Sequence, residues 1–174
     1  MEKMLKKLKK IMVVAVAGIM LSTGFATVAP NEAHAAHWAD EQMKWAKSNG
    51  YITADMRDSL ATRQDVWLIF TRYIKNSRGY DYNSARKFLM SRGISDGTRG
   101  TDLITRDEMM GMIYAKDTRR KAWNPSNGFG DARNFGINRF IYDGSRGNAF
   151  ATRAEIITMI FNYDVYFYIS WDEE

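Results

Sequence analysis

The sequence predicts an all-α protein of three helix-loop-helix repeats in a pseudo-threefold bundle. Three observations carry this expectation. A short phrase recurs as Leu60-Ala61-Thr62-Arg63-Gln64-Asp65, Leu103-Ile104-Thr105-Arg106-Asp107-Glu108 and Phe150-Ala151-Thr152-Arg153-Ala154-Glu155. Apolar residues follow each threonine at the same offsets, +4, +7 and +8, which is one face of a helix. The threonines lie 43 and 47 residues apart, a period at which each unit buries its core only against its neighbours.

The elements follow in order. Residues 1–35 read as a signal peptide. Lys3, Lys6, Lys7, Lys9 and Lys10 form a basic start, Ile11 to Ala29 is apolar, and Ala33-His34-Ala35 is a small-residue cleavage site. An uncleaved membrane anchor is the alternative. Repeat one, about 37–75, opens with a helix carrying Trp38, Met43, Trp45 and Ala46, which Asn49-Gly50 ends. Its second helix runs from about Thr62 to Lys75, with Val66, Ile69, Phe70, Tyr73 and Ile74 inward. Repeat two, about 82–117, has a helix over Ser84 to Ser91, closed by Gly93, and a second from Thr105 to about Lys116. Gly50 and Gly93 each stand 12 residues before the motif threonine. Residues 117–128 read as a linker. Repeat three, about 129–163, has a short, poorly patterned first helix, about Ala132 to Phe140, and a second from Thr152 to about Tyr163. The aromatic tail 164–174 is expected to pack over the bundle; a sugar-stacking surface is the sharper reading.

Composition narrows the function. Five of the 25 basic residues and two of the 20 acidic ones fall in the leader. The formal charge of +5 is therefore largely the leader's, and 36–174 carries no nucleic-acid footprint. The chain has no cysteine, which excludes thiol enzymes and Cys-ligated metals. Of its two histidines only His37 lies beyond the leader, which excludes His-rich zinc sites and Ser-His triads. No cofactor or metal is implied, and no second membrane span. The adjacent acids Asp107 and Glu108 point different ways on a helix, a poor arrangement for paired glycosidase carboxylates.

The repeated phrase divides into two tasks. Thr62 with Asp65, Thr105 with Glu108 and Thr152 with Glu155 are capping boxes, so these residues are explained as structural caps. Arg63, Arg106 and Arg153 are not explained that way. A cation at the first helical position opposes the helix dipole, at about 0.3–1 kcal/mol. One explanation is a salt bridge to a neighbouring repeat. The other is an anion, held by free helix N–H groups and a guanidinium fork. The turns Asp96-Gly97-Thr98-Arg99 and Asp143-Gly144-Ser145-Arg146 add Arg99 and Arg146 as second basic contacts. Repeat one has Thr53-Ala54-Asp55 instead. Judged by the loop of its own repeat, Arg106 ranks first, Arg153 second and Arg63 last.

Together His37-Trp38-Ala39, Trp45-Ala46, Asn49-Gly50, the Asp-Gly-Thr and Asp-Gly-Ser loops and the threefold Thr-Arg-x-acid motif resemble the S-layer homology domain, over about Ala36 to Tyr163. The resemblance implies grooves between repeats that bind a pyruvylated secondary cell-wall polysaccharide linked to peptidoglycan. Arg63, Arg106 and Arg153 would contact the acidic ketal, and Gly97, Thr98, Gly144 and Ser145 would border the groove. It implies a non-catalytic protein secreted to the cell wall or S-layer surface of a Gram-positive bacterium. Repeat one departs from the pattern at Gln64-Asp65 and in its loop. The alternative is a small secreted interaction module that keeps the scaffold but takes a protein partner.

Overall fold

The computed structural model describes residues 36–171; the expected signal peptide, 1–35, lies outside them. The described chain is all-α, with helices α1 (Asp40–Ser48), α2 (Arg63–Lys75), α3 (Tyr82–Ser91), α4 (Arg106–Thr118), α5 (Gly130–Asn138) and α6 (Arg153–Trp171). The repeated phrase starts α2, α4 and α6. Each motif threonine Oγ1 accepts the backbone N–H of the acid three residues on, at 3.2–3.3 Å. The acid's carboxylate accepts the threonine's own N–H at 2.9–3.0 Å. All three capping boxes are therefore formed.

The residues just before these helices tie the repeats together. Ala61 N–H donates to Ala151 O at 2.9 Å, Ala151 N–H to Ile104 O at 2.9 Å, and Ile104 N–H to Ala61 O at 3.0 Å. Three buried peptide groups thus close a ring, each repeat bonded to the other two. Helix packing has the same order. α3 packs on α2, α5 on α4, and α1 on α6. Each first helix leans on the motif helix of the preceding repeat, and the first repeat closes on the last. Helix α4 is enclosed on nearly all sides, with Met109, Met110 and Ile113 fully buried. Gly111 fits there because a side chain would meet Phe129 and Ala122.

Three expectations about elements change. Helix α3 starts at Tyr82, before Ser84, because Asp81 and Ser84 form a fourth capping box. Helix α5 is not shortened, at nine residues like α1. The last helix, expected to end near Tyr163, continues through the tail to Trp171. Its described rings take cations at the bundle's side, Arg139 lying 5.3 Å from Tyr166 and Lys116 5.0 Å from Phe167. Trp38 precedes α1 and is 60% exposed, so it is not part of the buried stripe that Met43 and Ala46 form.

The first helices end alike. Gly50, Gly93 and Phe140 each donate to a carbonyl three residues back, and the next residue donates five residues back. This double bond pattern requires a left-handed residue at the turn. Gly50 (φ 75°), Gly93 (φ 67°) and Phe140 (φ 56°) supply it. Glycine adopts this region freely, whereas an L side chain costs roughly 1–2 kcal/mol there.

Candidate functional site

Each motif arginine leaves its helix start and crosses to the next repeat. Arg63 Nη2 lies 2.8 Å from Asp96 Oδ1 and Nη1 lies 2.9 Å from Glu108 Oε1, and Nε donates to Thr98 O at 3.0 Å. Arg106 repeats this one unit on, with Asp143 Oδ1 at 2.6 Å and Glu155 Oε1 at 2.5 Å. Its guanidinium also lies 5.1 Å from the Tyr142 ring. Arg153 closes the cycle more weakly, its nearest carboxylate oxygen being Asp65 Oδ1 at 3.6 Å. The salt bridge between repeats is therefore real for all three.

The free N–H groups expected at the helix starts are occupied. Arg63 N–H donates to Asp102 O, Arg106 N–H to Ala149 O, and Arg153 N–H to Ser59 O, all at 2.9–3.1 Å. The next N–H in each helix meets Gly100, Gly147 or Arg57 O at 2.9–3.0 Å. With the threonine taking the third, no first-turn donor is left for an anion. Any anion at these sites must be held by side chains.

Each arginine stands in a groove. The Arg63 groove, about 490 Å³, is lined by Asp96, Arg99, Glu108, Lys121 and Trp123, among others. The Arg106 groove, about 540 Å³, includes Trp38, Phe140, Tyr142, Asp143, Arg146 and Glu155. The Arg153 groove, about 320 Å³, includes Thr53, Asp65, Arg72 and Tyr82. Ranking by the loop of the arginine's own repeat fails because each groove is built from two repeats. Arg63 faces the Asp-Gly-Thr loop of repeat two, and Arg106 faces the Asp-Gly-Ser loop of repeat three. It is Arg153 that faces repeat one's loop, where Thr53 replaces the aspartate.

The loop residues divide by role. Asp96 and Asp143 accept the N–H of Thr98 and Ser145 at 2.9 and 3.0 Å and then receive the arginine. Gly97 and Gly144 make this turn possible at φ 69° and 75°. They and Thr98 and Ser145 shape the loop from behind, while Asp96, Arg99, Asp143 and Arg146 reach the groove. Arg99 and Arg146 are 54% and 62% exposed and each lies on the same carboxylate oxygen as the buried arginine, at 2.8 and 2.6 Å. Burial raises the pKa of Glu155, but the Thr152 N–H, Arg106 and Arg146 outweigh it and hold the carboxyl below its ordinary value. Asp96 and Asp143 are likewise lowered, burial being outweighed by Thr98 or Ser145 and the facing arginine.

Sequence reasoning missed Asp96 and Asp143 as partners of the arginines, because it treated them only as turn residues. It also missed Phe140, although the signal was present: Phe140 stands 12 residues before Thr152, as Gly50 and Gly93 stand before Thr62 and Thr105. Asp107, the motif's second helical residue in repeat two, is buried and takes Tyr142 Oη at 3.0 Å and the Arg133 guanidinium. It fastens repeat three and faces away from the groove that Glu108 lines.

Compared with known proteins, the chain matches no family model, no curated protein and no solved structure. Among the described residues no helix is long and apolar enough to cross a membrane. No group of three or more His, Cys, Asp or Glu among them could hold a metal.

Proposed function

We propose that this protein is a non-catalytic cell-wall-binding protein, similar to S-layer homology domains, that takes an acidic, pyruvylated wall polysaccharide in grooves between its repeats. On this reading the six helices form a pseudo-threefold bundle, and the protein is secreted to the surface of a Gram-positive bacterium. The observation that carries the reading is the recurrence of one composite site. A buried arginine, a loop aspartate, a capping glutamate and an exposed second arginine occupy the same relative places in the Arg63 and Arg106 grooves. The ring of backbone hydrogen bonds supports the threefold arrangement.

The pairing of the arginines defines how an anion would enter. Arg63 and Arg106 are held in position by carboxylates and serve as fixed donors. Arg99 and Arg146 are the exposed arms that can leave a shared glutamate oxygen for an incoming carboxylate. A bidentate guanidinium–carboxylate pair is the geometry that such an arm provides. A second reading, a protein-binding module, is favoured by the ion pairs that Arg63 and Arg106 make with the next repeat, which are sufficient to explain them as fasteners alone.

Co-sedimentation separates the two. The protein should pellet with purified Gram-positive walls that retain pyruvylated polysaccharide and stay in solution with walls stripped of it. Arg99→Ala with Arg146→Ala should reduce pelleting with a smaller loss of thermal stability than Arg106→Ala causes. Equal pelleting with both kinds of wall sinks the polysaccharide reading.

A further inference from the structure

We propose that Phe140 makes the Arg106 groove a stacking site for a sugar ring. The inference rests on the polysaccharide reading. Its starting point is a residue that folding does not explain. Phe140 occupies the left-handed turn position at which the other two repeats place glycine. The side chain is 88% exposed, so burial returns nothing for the strained backbone. A sequence selected for stability alone would carry glycine here, as at Gly50 and Gly93.

The position borders a groove in two of the three repeats, Gly50 not being among the residues that line the Arg153 groove. Gly93 lines the Arg63 groove and leaves its rim open, whereas Phe140 lines the Arg106 groove and gives it an aromatic wall. Trp38, 60% exposed and contributed by repeat one, lines the same groove. Beside these rings the groove carries both signs of charge, Arg106 and Arg146 with Asp143 and Glu155. Arg146 is exposed in it, and the Nε of buried Arg106 and the hydroxyl of Thr158 have no hydrogen-bond partner among the described residues. Aromatic faces beside charged and hydrogen-bonding groups suit a pyranose bearing a carboxylate: the apolar ring face stacks, the hydroxyls find donors and the carboxylate meets Arg146. A purely apolar partner would leave those polar groups unpaired.

The test uses protein produced from the full chain and purified walls that retain acidic polysaccharide. Phe140→Gly should raise Tm by about 2–5 °C, because the strain is relieved. The same variant should weaken wall binding about threefold to tenfold, and Phe140→Trp should bind like the parent. Opposite signs in stability and binding are the signature of a residue kept for its ligand. If the parent binds walls and Phe140→Gly binds equally well, the stacking site is wrong while the wall-binding reading stands. If the parent does not bind walls, both fall. A lower Tm in Phe140→Gly would make Phe140 structural and overturn the proposal. So would conversion of a dimer to a monomer in sedimentation, which would assign this face to a second copy.

Discussion

The arginines of the repeated phrase look alike in sequence and differ in their surroundings. Arg106 is buried between Asp143 and Glu155, and removing it leaves Glu155, itself largely buried, with Arg146 as its cationic partner beside the Thr152 N–H. Loss of one partner from such a group is expensive, and partial exposure of Asp143 reduces the cost. Arg106→Ala is expected to lower stability by about 1–3 kcal/mol. Arg153→Ala should cost clearly less, because its carboxylate lies at 3.6 Å. Denaturant unfolding of both variants measures the difference, and equal losses would contradict the geometry. A variant's effect on wall binding therefore has to be read against its effect on folding. Arg99 and Arg146, exposed and peripheral, separate the two better.

At the level of elements, helix starts and helix ends are set by different devices. The starts of α2, α4 and α6 each use a reciprocal cap, and Glu108 and Glu155 spend one oxygen on the cap and the other on the arginines. Thr105→Ala should cost about 1 kcal/mol through the lost cap alone, whereas Glu108→Ala should cost more, since cap and salt bridges fail together. Helix ends depend on a left-handed residue. Gly93 has no atom within 4 Å of where a Cβ would lie, so Gly93→Ala tests backbone strain without a clash. A loss of about 1 kcal/mol is expected by thermal unfolding. No change there would remove the basis for reading strain at Phe140. Most of these elements were legible because capping and apolar period are local signals. The end of α5 was obscured by a phenylalanine where glycine was expected, and α3 began early because Asp81-x-x-Ser84 is a less familiar cap.

For the molecule as a whole, the grooves couple folding to pH. Asp96, Asp143 and Glu155 are held below their ordinary values of 3.8, 3.8 and 4.5. A carboxyl so lowered contributes its full stability above its ordinary value and loses it as pH falls through the depressed one. The melting temperature should therefore be flat above about pH 5 and fall below about pH 4. Glu155→Gln should start from a lower Tm and show a shallower acid decline; an unchanged profile would mean that the groove carboxylates do not contribute. The sequence by itself determined the all-α class and most helix starts, since those depend on neighbours within a few residues. It also singled out three arginines whose charge opposes their own helices. Only the tertiary structure decided what they face. The Arg63 and Arg106 grooves each join a helix start to residues about 33–49 positions on, and the Arg153 groove joins the last motif helix back to the first. Local comparison cannot see across that joint, because it joins residues far apart in the chain, as do the backbone bonds among Ala61, Ile104 and Ala151.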